Sequence, residues 1–235
     1  MHNKSRRFAR AARASRPASV CVASLFAWVP FVHAAGGHHA VDDAAILDPG
    51  QCQIEAWADR ERGRVRTLMH LGPACRVGAV ELGLNLDRVR VHAVGSVTIA
   101  GPQFKWAASL GNGLSAGLAV AANWQDRSPS YLGSTMVLPV TWQAGETVLV
   151  HVNAGRDLRA HASDDTRAGA AIEWTPHSSW SFVAERFREG RTNFWRAGAR
   201  WVFDPALNLD LSHARSLDGK VPAWWTLGLS WVFDR

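Results

Sequence analysis

The segment AWWTLGLSWVFDR, Ala223 to Arg235, alternates without a break. Trp225, Leu227, Leu229, Trp231 and Phe233 fall on one side, and Thr226, Gly228, Ser230 and Val232 on the other. A two-residue period is that of an extended strand with one apolar face, and a helix cannot gather such residues on one side. The same pattern recurs in LNLDLSHA (Leu207 to Ala214), AVELGLNLD (Ala79 to Asp87) and NFWRAGARWVF (Asn193 to Phe203). Twelve candidate strands follow, at roughly 51–60, 64–71, 77–87, 97–110, 114–124, 134–142, 146–156, 166–175, 178–188, 192–203, 206–215 and 223–234. The pattern holds no amphipathic helix and no interdomain linker.

The connections alternate as regularly as the strands. GNG (Gly111 to Gly113), AGE (Ala144 to Glu146), Pro176-His177 and Asp204-Pro205 are tight, whereas QDRSPSYLG (Gln125 to Gly133) and DLRAHASDDT (Asp157 to Thr166) are longer and polar. Two connections on the long side are themselves short, ERG at Glu61 to Gly63 and EGR at Glu189 to Arg191. One quiet rim, one elaborate rim and an even strand number describe a single all-β, up-and-down antiparallel transmembrane β-barrel. Both of its termini are then expected at the periplasmic side. Tryptophan supports this reading. Trp142, Trp174, Trp180, Trp201 and Trp231 fall at the expected periplasmic rim, and Trp124, Trp195 and Trp225 at the outer one, as two interfacial belts require.

The +6 formal charge and basic pI of the whole chain suggest nucleic-acid binding only until the charges are located. Lys4, Arg6, Arg7, Arg10, Arg13 and Arg16 precede residue 17, ahead of the apolar run Ala18 to Val32 and the small-residue end HAA. These are the parts of a cleavable secretory signal peptide, expected over residues 1–35. Without those six cations the remaining Lys and Arg balance the 20 acids, and no nucleic-acid partner is expected. Residues 36–50 read as a periplasmic lead-in and 51–235 as the barrel. Cys21 falls within the expected signal, so Cys52 and Cys75 remain as an expected disulfide in an exported chain.

Alternation places Glu55, Arg64, Arg66, Glu81, Asp87, Lys105, Glu173, Arg196, Arg200 and Asp210 on inward faces as candidate lumen-lining residues. In the lead-in, His38, His39, Asp42 and Asp43 are of metal-ligating types. Their spacing is not a ligand signature, so they are assigned as candidates for a plug at the barrel mouth, with no metal and no cofactor expected. The SHARS stretch, Ser212 to Ser216, holds His213 and Ser216 but no third orienting group for a hydrolase. No catalytic residue is assigned.

Two stretches resemble a known family. HHAVDDAAILDPGQCQIE, through His39, Asp42, Asp43, Gly50, Gln53, Ile54 and Glu55, is similar to the mature N-terminus of the outer-membrane channel family labelled "MetA-pathway of phenol degradation". GPQFKW, Gly101 to Trp106, is similar to one of its strands. Ala40 stands where that family has proline, and the last aromatic is Phe233, two residues in from the end. The resemblance implies an outer-membrane barrel that passes apolar or aromatic small molecules. The expected function is passive transport of small molecules by a monomer or weak oligomer in a Gram-negative outer membrane. The expected partners are outer-membrane lipid and lipopolysaccharide, the barrel-assembly machinery and a small solute. A closed structural barrel and a lipid-modifying hydrolase are the alternatives.

Overall fold

The structure, a computed structural model, describes residues 38–235, all within the compact unit Val32–Arg235. The expected signal peptide and the Gly36-Gly37 start lie outside the described residues. Twelve strands follow in chain order: β1 (Gln51–Glu61), β2 (Arg66–Val77), β3 (Val80–Val91), β4 (Gly95–Gly111), β5 (Leu114–Gln125) and β6 (Tyr131–Gln143), then β7 (Val148–Arg159), β8 (Asp165–His177), β9 (Trp180–Glu189), β10 (Thr192–Asp204), β11 (Leu207–Ser216) and β12 (Trp224–Asp234). Each pairs antiparallel with its neighbours in sequence. β12 returns to β1, from Gln51 opposite Asp234 to Glu61 opposite Trp224, and closes the barrel. Closure leaves no unpaired edge, which a sheet facing hydrocarbon cannot tolerate.

The end where β1 starts and β12 finishes is here called the near end, and its hairpins are tight, as at Gly78-Ala79 and Asn112-Gly113. The far end carries the longer connections, including 126–130, 160–164 and 217–223. The expected rims are therefore both present, with the two expected short connections on the far side. One hairpin differs from the reading of the sequence. Gly72 and Pro73 look like a turn, yet β2 runs through them, pairing Leu71 with Leu86 and Ala74 with Gly83 before turning at Gly78. Gly72 is needed because a Cβ there would lie 2.7 Å from the His70 ring.

Outward faces are apolar over most of the wall: Leu84, Leu138, Val152, Ile172 and Leu227 are each half or more exposed. A soluble domain does not leave such a continuous apolar surface uncovered. Trp142, Trp174, Trp180, Trp201 and Trp231 ring the near end on this face, and Trp124 and Trp225 the far end. Among the described residues, no outward strand position holds Asp, Glu or Lys. Seven hold arginine: Arg60, Arg88, Arg90, Arg156, Arg186, Arg188 and Arg215, all in the far-end portions of odd-numbered strands.

Cys52 and Cys75 are bonded across β1 and β2 at the near end, opposite each other in register. Cross-linking a loop with a sequence separation of 23 restricts the unfolded chain. Replacing both cysteines by serine is expected to lower the unfolding free energy by about 3 kcal/mol. Urea titration in lipid vesicles, followed by tryptophan fluorescence, reads that shift. An unmoved midpoint would show that the bridge constrains nothing the lipid does not already constrain.

Candidate functional site

The inward faces are polar and charged. Buried charged side chains of the strands comprise eight carboxylates (Asp59, Glu61, Glu81, Asp87, Asp157, Glu185, Glu189 and Asp210) and four cations (Arg66, Lys105, Arg167 and Arg196). Because uncompensated charge is costly away from water, the cations are engaged across strands. Arg66 Nε donates to Glu61 at 2.9 Å, and Arg167 bridges Asp157 at 2.6 Å and Glu189 at 3.3 Å. Arg200 Nε donates to Asp210 at 2.8 Å. His70 Nδ1 lies 2.7 Å from Asp87 Oδ1 while its ring stacks on Trp57.

The lumen is occupied by the chain itself. From His38 to Leu47 the segment before β1 runs inside the barrel and meets several walls. On β9, the Glu185 carboxylate accepts from Ala40 N–H and from Val41 N–H, the latter at 2.9 Å. On β10, the Arg196 guanidinium donates to the carbonyl of His38 and lies 3.3 Å from Glu185. On β4, Lys105 Nζ donates to Asp42 at 2.9 Å and Asp43 at 2.7 Å. Thr141 on β6 accepts from Ala44 N–H at 2.9 Å. Glu81 on β3 accepts from Leu47 N–H at 3.1 Å, and Arg76 on β2 donates to Leu47 O at 2.8 Å. Asn153 on β7, with its amide turned to satisfy both partners, accepts from Asp42 N–H and donates to Asp42 O.

Above the first turn of this segment lies an apolar layer. Val41 packs with Phe187, Phe194, Trp224, Ala171 and Ala214. Phe187 and Phe194 stack at 5.2 Å, and Trp224 meets Phe194 edge-on. The Arg196 guanidinium sits 5.4 Å from the Phe187 ring and 5.7 Å from that of Trp224, so one cation serves both the segment and the layer.

Most of the sequence-assigned residues lie on the inward parity: Glu55, Arg66, Glu81, Asp87, Lys105, Glu173, Arg196, Arg200 and Asp210. Arg64 does not. It ends the 3-10 turn Arg62–Arg64, exposed and with a positive φ of 58°, because β2 begins two residues later than its composition suggests. His38, His39 and Asp42 are buried inside the barrel, while Asp43 is half-exposed beside Lys105. The four do not form one cluster. Lys105 takes Asp42 and Asp43, whereas His38 and His39 lie together near Asp210, with ligand-type atoms within 4.8 Å. Asp210 is already paired with Arg200, and Arg196 adjoins, so the local field opposes a cation. Burial, His39 and the two arginines hold the His38 imidazole below its ordinary range and therefore neutral.

The sequence reading missed Asp59, Glu61, Asp157, Arg167, Glu185 and Glu189, and the inward aromatics Phe187, Phe194 and Trp224. Parity alone could have found them: Phe187 is two residues from Glu185, and Phe194 two from Arg196. The hydrolase candidates separate. His213 faces outward against Trp195 and Trp225, while the Ser216 hydroxyl faces inward and bonds the Val221 backbone.

The family described as Uncharacterised conserved protein UCP029691 matches residues 23–233. The chain belongs to that family. The resemblance to the phenol-degradation channel family is not confirmed by this match. Its two stretches instead meet in space, because Asp42 and Asp43 of the first bind Lys105 of the second. No curated protein matches the sequence. Among solved structures, a KdgM porin in complex with disordered oligogalacturonate is 9% identical with a TM-score of 0.63, over 77% of this chain and 99% of that one. The NanC porin is 9% identical with a TM-score of 0.60, over 76% and 98%. This chain thus shares the fold of these porins.

Proposed function

We propose that this barrel is an outer-membrane channel for passive transport of small molecules, and that its own N-terminal segment is its gate. One observation carries the reading: residues 38–47 lie inside the lumen, tied to seven strands chiefly by charged and polar groups, with Val41 packed against the aromatic layer. Such contacts can be exchanged for water, whereas a packed hydrophobic core cannot. A closed structural barrel has no need of a wall so rich in ionisable groups. Lipid, lipopolysaccharide and the barrel-assembly machinery remain its proposed surroundings, as for any chain built this way.

The buried wall carries twice as many carboxylates as cations, so the solutes it favours are cationic or neutral. Apolar or aromatic solutes fit this lining poorly. Planar-bilayer recording across a salt gradient tests the proposal: openings with a cation-favouring reversal potential are expected. A barrel that stays silent both intact and after removal of residues 38–47 would exclude transport.

The gate should also respond to pH. His38 is neutral when seated, facing His39, Arg196 and Arg200, with Asp210 and Glu185 nearby. Its lowered pKa means the released segment binds the extra proton, so seating weakens as pH falls through the ordinary histidine value near 6.5. The His38 contribution to open probability is expected to be larger at pH 5 than at pH 8. It acts against that of Asp42, whose pKa burial raises to about 8 when seated and which therefore favours seating as pH falls. Comparing the intact protein with His38→Gln at both pH values isolates the His38 contribution.

A further inference from the structure

The outward arginines have no counterpart at the near end. Arginine on a lipid-facing strand is tolerated near either interface, at about 0–1 kcal/mol, and acidic residues cost less than arginine at a given depth. Tolerance alone would therefore scatter both types over both rims. Instead the near rim carries aromatic and aliphatic residues, and no outward strand position among the described residues holds Asp or Glu. A one-sided, single-sign belt matches an anion confined to one leaflet.

The belt is concave at one place. Between the β1–β2 turn and the β11–β12 connection lies a groove of about 880 Å³, lined by Arg60, Arg62, Arg64 and Arg215 together with Trp225 and Pro222, its one carboxylate, Glu61, being paired with Arg66. All four arginines are exposed. None makes an ion pair or side-chain hydrogen bond to another described residue, in contrast to Arg88, which is held by Thr98, Ser96 and Asp126. The groove lies within the usual range for ligand clefts, about 300–1,000 Å³. Guanidinium forks suit phosphate, and Trp225 beside them offers the amphipathic ring found at headgroup level.

We propose that this groove binds the phosphorylated sugar headgroup of a glycolipid in the far-end leaflet, the arginines taking its phosphates and Trp225 and Pro222 its apolar flank. The assignment rests on the transmembrane orientation given above but not on the channel conducting. The occupant is a lipid, because the groove opens onto the lipid-facing wall through Arg60, His213, Arg215 and Trp225.

The test uses the refolded barrel in neutral detergent, read by native mass spectrometry with four probes: diphosphoryl lipid A, dephosphorylated lipid A, phosphatidylglycerol and inorganic phosphate. Lipid A is expected to stay bound and the other three to be lost. R60Q/R62Q/R64Q/R215Q should reduce the bound fraction at least tenfold, while the four-lysine variant should retain part of it. Equal retention of lipid A with and without phosphate overturns the proposal, and needs no variant that folds. Equal retention of phosphatidylglycerol would reduce the groove to a general anionic surface, and retention of inorganic phosphate alone to an ion site; either overturns the glycolipid assignment. Folding in neutral vesicles and bilayer conductance report separately on the barrel and its transport, so a failure here leaves them standing.

Discussion

Removal of residues 38–47 is expected to turn an intermittently conducting barrel into a steadily open one. In the intact protein the segment is held by Glu185, Arg196, Lys105, Thr141, Glu81 and Arg76, drawn from six different strands. Hydrogen bonds to charged groups contribute about 1.5–3 kcal/mol each, so even a small surplus over ordering entropy leaves the seated state dominant, and its loss should raise mean conductance more than about tenfold. The cut should stop before Asp48, whose carbonyl accepts from Gln51 N–H and starts β1. Single-channel recording in planar bilayers reads the change. An unaltered open probability would mean that the segment lines a pore which the aromatic layer of Phe187, Phe194 and Trp224 closes on its own. A narrower change separates the anchors: K105M should release Asp42 and Asp43 yet leave the Glu185 contacts, giving flicker rather than full opening.

Replacing Arg196 by methionine should be the most destabilising single substitution in the lumen. The side chain is 1% exposed, lies 3.3 Å from Glu185, donates to the His38 carbonyl and underlies two aromatic rings. Methionine matches much of its volume but leaves Glu185 buried without its counter-charge. Breaking a buried pair from one side costs roughly 3–5 kcal/mol. Urea unfolding in vesicles measures this, and the double variant R196M/E185Q should recover a large part of the loss, as residues in one network do not add. If the double variant is as unstable as the sum of the singles, Arg196 acts through its rings and the segment, not through Glu185. The same substitution should also loosen the segment, so open probability and stability move together at this residue, whereas K105M shifts gating more than stability.

The closed barrel was legible because its signal is local and repeated. Strands such as Trp224–Asp234 declare their two faces residue by residue, and a parity assigned at one end holds to the other. Where a strand runs through residues that resemble a turn, as at Gly72-Pro73, composition misleads; the register there is decided by the strands on either side. Arg64 was displaced for the same reason, since a boundary error of two residues moves a side chain from the wall to the rim.

The sequence by itself determined an alternating all-β wall, its even strand number, its two rims, the pairing of Cys52 with Cys75, and the charged character of the inward face. All of these follow from periodicity and spacing along the chain. Only the tertiary structure decided which charges meet. Glu185 binds backbone 145 and 144 residues away, and Arg196 reaches a carbonyl 158 residues distant. Such pairings depend on ring closure bringing β9 and β10 around to the segment that precedes β1. It likewise decided that His38 and His39 part from Asp42 and Asp43, because Lys105 competes for the carboxylates across the lumen. The arginine belt stands between the two: every residue in it was visible in the chain, but its single rim and its open groove exist only once the strands are closed into a ring.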